Sequence, residues 1–555
     1  MIRLFDTHHI RQMRELDGMW DFKMDNAEKA YQLPVPGCWE QHPDFLNHRG
    51  HGTYTRTVYI NKSGNIRLEF KGVSHTADVY FDGNKIAHHY NAFTPFSVIV
   101  KDVTQGEHEI RVEVDNTFGE HSSLHIPNDY YTYGGITRPV ALEYIPDAYI
   151  KNIRFTPMRT NGVWSAKIEV DIQNISDKKI NIEIFSQLSK YEMKSDILEI
   201  DAQSTFTTAF ERTFEDIRPW SNSEPNLYML NTILYIDGKP VDDLIERIGF
   251  RTIDVGNTKI YLNGEPIYFK GFNRHEDYAV DGCAITLQHM VQDMDLIQDM
   301  NANAIRTCHY PNDERFLDLC DERGIMVWEE NHARGLVLHD MQNPNFEQQC
   351  ADCIREMIEN HYNHPSIVIW GILNECAAET EEGRRIYKNQ YEQIKSMDLS
   401  RPTTSATCRH FTDICLDLPD VVSFNMYSGW YQDCPIDERN DEQIAWIKQS
   451  GGNNKPIIVS ELGAAAIYGY RDRSHCKWSE ERQADIIRDN LSVYMRDDRI
   501  MGVFIWQFSD CRVTEEGEWF ATRARCHNNK GVVDEYRRPK MAYDTIKELF
   551  EILRV

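Results

Sequence analysis

No stretch of this sequence is long and apolar enough to cross a bilayer as a helix, because charged or polar residues break every hydrophobic run well short of the roughly 20 residues needed. Positive charge is scarce as well. Lys and Arg number 60 against 87 Asp and Glu, a formal net charge of -27, and such a field repels phosphate backbones and anionic lipid. Neither a nucleic-acid partner nor a membrane partner is expected. There is no low-complexity linker and no internal repeat. The 13 cysteines, an odd number, form no tight framework, so they read as reduced thiols. Cys350 and Cys353 make one CxxC in "NFEQQCADCIREMIEN", a helical segment with no second pair at zinc spacing, and a core role is expected there rather than a metal site. The opening "MIRLFDTHHIRQMRELDG" lacks the apolar core of a secretory signal, from which a cytoplasmic protein is expected.

What the chain does have is a globular composition, 41% apolar and 11% aromatic, over 555 residues, enough for about three or four domains. Up to residue 148, short alternating runs such as "YTRTVYIN", "IRLEFKG" and "HEIRVEVDN" are separated by turn signals, and "FDGNKI" is a hairpin cue. Residues 149–255 repeat the theme with "WSAKIEVDIQN" and "INIEIFSQL". Two successive β-sandwiches are predicted. From residue 256 to 555 the period changes. The runs "YFKGFN", "AIRTCH", "MVWEEN", "IVIWGILNE", "TTSAT", "VVSFNMY", "IIVSELG" and "GVFIWQFSD" alternate with helical stretches, a short one in "FTDICLDL" included. Eight such units predict a (β/α)8 barrel.

Catalytic groups in such barrels sit at the C-terminal strand ends. Those ends here carry Asn273, Arg274, His275 and Glu276, then Arg306 and His309, Glu329 to Asn331, Asn374 and Glu375, Asn425 and Tyr427, Glu461, and finally Trp506 and Asp510. The rim is thus rich in acids, amides and aromatics. Glycoside cleavage uses those types: carboxylates for acid, base or nucleophile work, an aromatic platform for a sugar face, and amides for hydroxyls. Glu375 and Glu461 end apolar runs on the fourth and seventh strands, across the mouth from each other. Their alternative role is plain pairing with Arg274 or Arg306. A carboxylate pair needs no metal or organic cofactor for this chemistry, and His275, His309 and His332 show no ligand spacing, so they read as substrate-binding or structural.

The segments "NANAIRTCHYPND", "NHPSIVIWGILNE" and "PIIVSELG" resemble the signature segments of family 2 glycoside hydrolases, in the same order and on the expected strands. "LDGMWDF", "YGGITRPV" and "FKGFNRHEDY" extend the resemblance over nearly the whole chain. It implies a jelly-roll sandwich, an immunoglobulin-like sandwich and a catalytic barrel, and homo-oligomerisation. It further implies a retaining mechanism with Glu375 as acid/base and Glu461 as nucleophile, and Asn374 on the sugar 2-hydroxyl. Chemically, Glu375 then needs a raised pKa and Glu461 must ionise, with Tyr427 placed to donate to it.

"CHNNKGVV" after the eighth strand bears on the sugar. Its Asn528 and Lys530 resemble the Asn-x-Lys by which the β-glucuronidases of that family hold the C6 carboxylate, and "FNMYSGWYQD" resembles them too. A uronate needs a cation and a donor beside it. Arg523 and Arg525 make the loop basic, although neither aligns cleanly with the arginine that precedes the motif in those enzymes. Trp430, Tyr431 and Trp506 are candidate sugar-facing aromatics. Arg334, in "EENHARGLVLHD", sits near the mouth, where it is placed to meet the carboxylate or a C4 hydroxyl of other orientation. A β-glucuronidase acting on uronide glycosides or oligosaccharides is therefore expected. A β-galacturonidase, a β-galactosidase, and a carbohydrate-binding protein without activity are the alternatives.

Overall fold

The structure, a computed structural model, describes residues 2–25, 28–515 and 522–552. Its first unit packs a six-stranded antiparallel sheet, centred on His51–Ile60 and Gly106–Asp115, against a four-stranded one that includes Gly64–Phe70 and Val140–Ile145. Trp20, Phe22, Tyr54, Ile66, Leu68 and Val112 fill the space between them. Alternation drives the next unit as well: along Val163–Asn174 every second residue is buried, which turns one face to the core and the other to solvent. That strand lies between Ala148–Thr160 and Ser204–Phe214, and a second sheet built on Ile180–Leu188, Tyr228–Ile236 and Lys239–Ile248 closes the sandwich.

Eight parallel strands then close into a barrel: β1 Phe269–Asn273, β2 Ala304–Thr307, β3 Met326–Glu330, β4 Ile367–Ile372, β5 Thr403–Thr407, β6 Val422–Asn425, β7 Ile457–Leu462 and β8 Ile500–Ile505. Seven of these fall within the runs predicted from the sequence, and β8 starts two residues ahead of its run, at Ile500. Six of them, β2 to β4 and β6 to β8, are buried along their whole length, as strands covered on both faces must be. Cys350 and Cys353 are buried on the helix Phe346–His361, as expected.

One helical expectation fails. No helix joins β5 to β6. The connection turns tightly instead, with Thr412 N bonded to Arg409 O and Cys415 N to the Asp413 carboxylate at 2.6 Å, and Pro419 halts any continuation.

The first sandwich docks on the mouth side of the barrel. Phe93 stacks on Tyr310 with ring centroids 3.8 Å apart, and Arg138 donates to Glu276 at 2.6 Å. A strap from the same sandwich, residues 116–134, reaches further in. Its end is anchored by the buried Glu40, whose two oxygens accept from Gly134 N at 2.9 and 3.0 Å. Only glycine fits at 134, since a Cβ there would lie 2.1 Å from the Trp39 ring.

Candidate active site

Glu375 follows β4 in a left-handed backbone conformation, φ 53°, uncommon for a non-glycine residue and enriched at functional positions. Its N–H bonds Ala406 O at 2.9 Å, which ties the turn to β5. Asn425, at the end of β6, donates to Glu375 Oε1 at 2.8 Å, and Arg334 Nη2 stands 3.9 Å from Oε2. Glu461, on β7, is more deeply buried. Tyr427 O–H donates to its Oε2 at 2.6 Å and Arg306 Nη1 to its Oε1 at 3.0 Å, while His309 Nε2 lies 4.0 Å from Oε1.

Arg306 organises this floor. Its fork holds Glu330 through two bonds of 2.9 Å, and its remaining N–H groups reach Asn273, Glu461 and the Asn374 carbonyl oxygen. Asn374 is thereby oriented with its Nδ2 donor buried and unpartnered in the protein, the donor a sugar hydroxyl would need. The alternative role weighed for Glu461, pairing with Arg306, is only partly realised, because the bidentate partner of that arginine is Glu330. Burial and the neighbouring Glu375 charge push the Glu461 carboxyl up to about 7, against the pull of Arg306 and Tyr427. The sequence reading requires Glu461 to ionise, and the upward push on its carboxyl works against that requirement.

Opposite the acid pair is a cationic corner. Lys530 is buried, with its ammonium 5.4 Å from the Tyr431 ring and 5.9 Å from that of Tyr427. The residue after it must be glycine, because a Cβ on Gly531 would sit 2.1 Å from Asp510 N. Arg523 and Arg334 stand nearby, and between the three cations is Asp129, delivered by the strap of the first sandwich. Arg523 donates to Asp129 Oδ2 at 2.6 Å. Burial opposes ionisation of Asp129, but Arg334, Arg523 and Lys530 hold its carboxyl at about 2. The Tyr431 phenol, which burial alone would raise, is brought below its ordinary value by Lys530 and Arg523. Acid pair and cationic corner line one cavity of about 430 Å³, whose wall also includes Cys408, His410, Tyr431 and Trp506. A larger cleft of about 730 Å³, lined by Lys259, Pro266, Lys270 and Met326, lies near the opposite ends of the strands, away from this chemistry.

The remaining predicted residues divide. Trp506 faces the cavity, stacked on His309 with centroids 5.1 Å apart. His309 lies beneath, its Nδ1 on Glu330 at 2.7 Å. Trp430 does not line the cavity; it packs edge-on against Trp478 under Lys477. Arg525 is a correction. It turns outward at φ 58° and pairs with Glu535 at 2.6 Å, and Arg523 takes the inward place. Asn528 is buried, but its Nδ2 donates to both Asp129 oxygens, at 3.2 and 3.1 Å, so it braces the corner rather than facing the mouth. Of the rim acids, Asp510 pairs with Lys540 and Glu329 with His361. Asp129 itself escaped the sequence reading, although "IPNDYYTYGG", a polar aromatic stretch between strands, was a signal.

Among the described residues, two groups of three possible metal ligands have donor atoms within 4.8 Å of one another: His275, Cys308 and His309 below the mouth, and Asp318, Asp321 and His364 elsewhere. In the second, Arg3 holds Asp318 and His364 holds Asp321, each at 2.6 Å. In the first, each imidazole already uses Nδ1, on Tyr310 and Glu330 respectively.

Comparison with known proteins adds to this geometry. Residues 253–555 match the TIM barrel domain of glycosyl hydrolases family 2, residues 148–251 match glycosyl hydrolases family 2 as well, and residues 20–154 match the glycosyl hydrolase 2 galactose-binding domain-like model. A β-glucuronidase of Streptococcus agalactiae is 26% identical, covering 97% of this chain and 96% of its own. One from Paenibacillus borealis is 27% identical, covering 96% of each. Among solved structures, a family 2 β-galacturonidase from Eisenbergiella tayi bound to galacturonate is 48% identical, with a TM-score of 0.97 over 100% of both chains.

Proposed function

The chain belongs to family 2 of the glycoside hydrolases, and from that premise we propose that it is a retaining, exo-acting β-uronidase whose preferred substrates are β-galacturonides. The observation that carries the uronide reading is the cationic corner: Lys530, Arg523 and Arg334 beside an acid pair in one cavity, in a chain of net charge -27. A carboxylate on the substrate meets charge-assisted donors there, about twice as strong as neutral ones. The galacturonide preference is supported by the 48% identity to the galacturonate-bound enzyme and by Arg334 and Asp129 flanking the cavity. The second reading, a β-glucuronidase, is favoured by the curated relatives at 26 and 27% identity.

In this mechanism Glu461 attacks the anomeric carbon while Glu375 protonates the departing glycosidic oxygen. Glu375, now a carboxylate, then takes a proton from the water that releases the sugar from Glu461. Burial and the charge of Glu375 hold the Glu461 carboxyl up at about 7, so its ionisation falls near neutrality. Both donors on Glu461, Tyr427 O–H and Arg306 N–H, stabilise the anion that attack requires. Asn374 Nδ2 meets the 2-hydroxyl, a contact that strengthens in the transition state.

The test is kcat/KM on aryl β-galacturonide, β-glucuronide and β-galactoside for wild type and Lys530→Ala, with the first-formed anomer followed by NMR. A uronide should win by orders of magnitude, the galacturonide first, with retained configuration, and Lys530→Ala should abolish that advantage. A preferred galactoside, or an unchanged ratio in the variant, would refute the uronide reading.

A further inference from the structure

The sulfurs of Cys38 and Cys283 meet at 3.5 Å although the residues are 245 apart in sequence. Cys38 precedes the short 3-10 turn Trp39–Gln41 of the first sandwich, and Cys283 belongs to the loop between β1 and the helix Leu287–Asp299 of the barrel. Both pack with Tyr131 and Tyr133, and Tyr133 O–H donates to Asp277 in the barrel at 2.8 Å. The pair therefore sits at the root of the strap that delivers Asp129, beside its Glu40 anchor. Cys283 is half-buried as a residue, whereas Cys350 and Cys353 on their helix are buried.

We propose that Cys38 and Cys283 are a covalent modification site, closing to a disulfide between sandwich and barrel on reaction with a small-molecule disulfide such as oxidised glutathione. The Cys283 thiolate attacks one glutathione sulfur, forms a mixed disulfide and expels the first glutathione as thiolate. The Cys38 thiolate then attacks the Cys283 sulfur and expels the second. The protein pair loses two electrons and two protons, and the oxidant leaves as two thiols. The two sulfurs, now 3.5 Å apart, close to a bond of about 2.05 Å. Hydrogen bonding to Cys38 and burial push the Cys283 thiol up, so the reaction accelerates with pH. Neither sulfur lines the catalytic cavity.

The experiment is oxidation of the native full chain with glutathione disulfide at pH 8.5, then non-reducing peptide mapping and thermal unfolding of wild type and Cys283→Ser treated alike. A Cys38–Cys283 cross-linked peptide is expected, with a melting temperature raised on the order of 5 °C in wild type alone, and activity at 25 °C within two-fold. Glutathione capping of Cys283 without the cross-link, cross-links to other cysteines only, or a cross-link that leaves the melting temperature where the treated variant has it would each overturn the proposal. The peptide map of wild type stands even where the variant fails to fold.

Discussion

Replacing Tyr427 by Phe removes one O–H donor, the 2.6 Å bond to Glu461 Oε2, and leaves the ring in place. A hydrogen bond to a charged group contributes about 1.5–3 kcal/mol, and about 1.36 kcal/mol corresponds to one pKa unit. The Glu461 carboxyl, already lifted to about 7, should therefore rise by roughly one to two further units. The sign follows from the role. Attack needs the anion, so a higher pKa moves the acid limb of kcat/KM to higher pH. At pH 7 the ionised share falls from about one half to between about a tenth and a hundredth, and kcat/KM drops roughly 5- to 50-fold. Above the new pKa most of that loss is recovered. The assay is kcat/KM from pH 5 to 10 on an aryl β-uronide with a good leaving group, together with a melting curve to confirm folding. An unmoved acid limb with lower activity at every pH would refute the claim that Tyr427 acts by holding Glu461 as an anion. Unchanged activity would remove Tyr427 from the site.

Two other substitutions separate the cationic corner from its surroundings. Asp129→Asn keeps shape and removes the charge that Arg334, Arg523 and Lys530 share; kcat/KM on uronides should fall about 100-fold, a loss of about 2.7 kcal/mol, and urea titration should show lower stability because Arg523 loses its buried anion. Arg525→Ala should leave kcat/KM within two-fold, since that guanidinium is half-exposed on Glu535 and such pairs contribute about 0–1 kcal/mol.

The contrast between those two arginines shows where sequence reading stops. The eight barrel strands and the acids at their ends follow from local rules: fully buried apolar runs, and polar groups placed where a strand leaves the core. Glu375, Glu461, Tyr427 and Asn425 were legible for that reason. Arg523 and Arg525 lie two apart in an irregular loop, and which one points inward depends on a left-handed turn at Arg525 that no periodicity announces. Asp129 was harder still. It stands far upstream of the barrel in sequence, and its role arises only from docking of the first sandwich, with Glu40 and Gly134 setting where the strap runs. The missing helix after β5 has a similar cause, because "FTDICLDL" carries an apolar pattern that side-chain hydrogen bonds divert into turns.

Charge balance links the two halves of the cavity. Four cations, Arg306, Arg334, Arg523 and Lys530, face four carboxyls, Asp129, Glu330, Glu375 and Glu461. Burial keeps His275 and His309 neutral. With one proton on the acid pair the site carries a single excess positive charge, which a uronate neutralises and a neutral sugar leaves uncompensated. Binding a uronate should in turn stabilise the protonated pair, since its charge adds to the field opposing a second carboxylate. The Glu461 carboxyl, at about 7 without ligand, is then pushed higher on binding, and protons are taken up from solution between about pH 7 and 8. Calorimetry of galacturonate binding at pH 7.5, in two buffers of different ionisation enthalpy, measures that uptake directly. A fraction of a proton should enter with galacturonate and none with galactose, and the uptake should disappear when Glu375 is replaced by Gln. Equal uptake for both sugars, or none for either, would break the link between the cationic corner and the catalytic acid, leaving the two to act as independent sites.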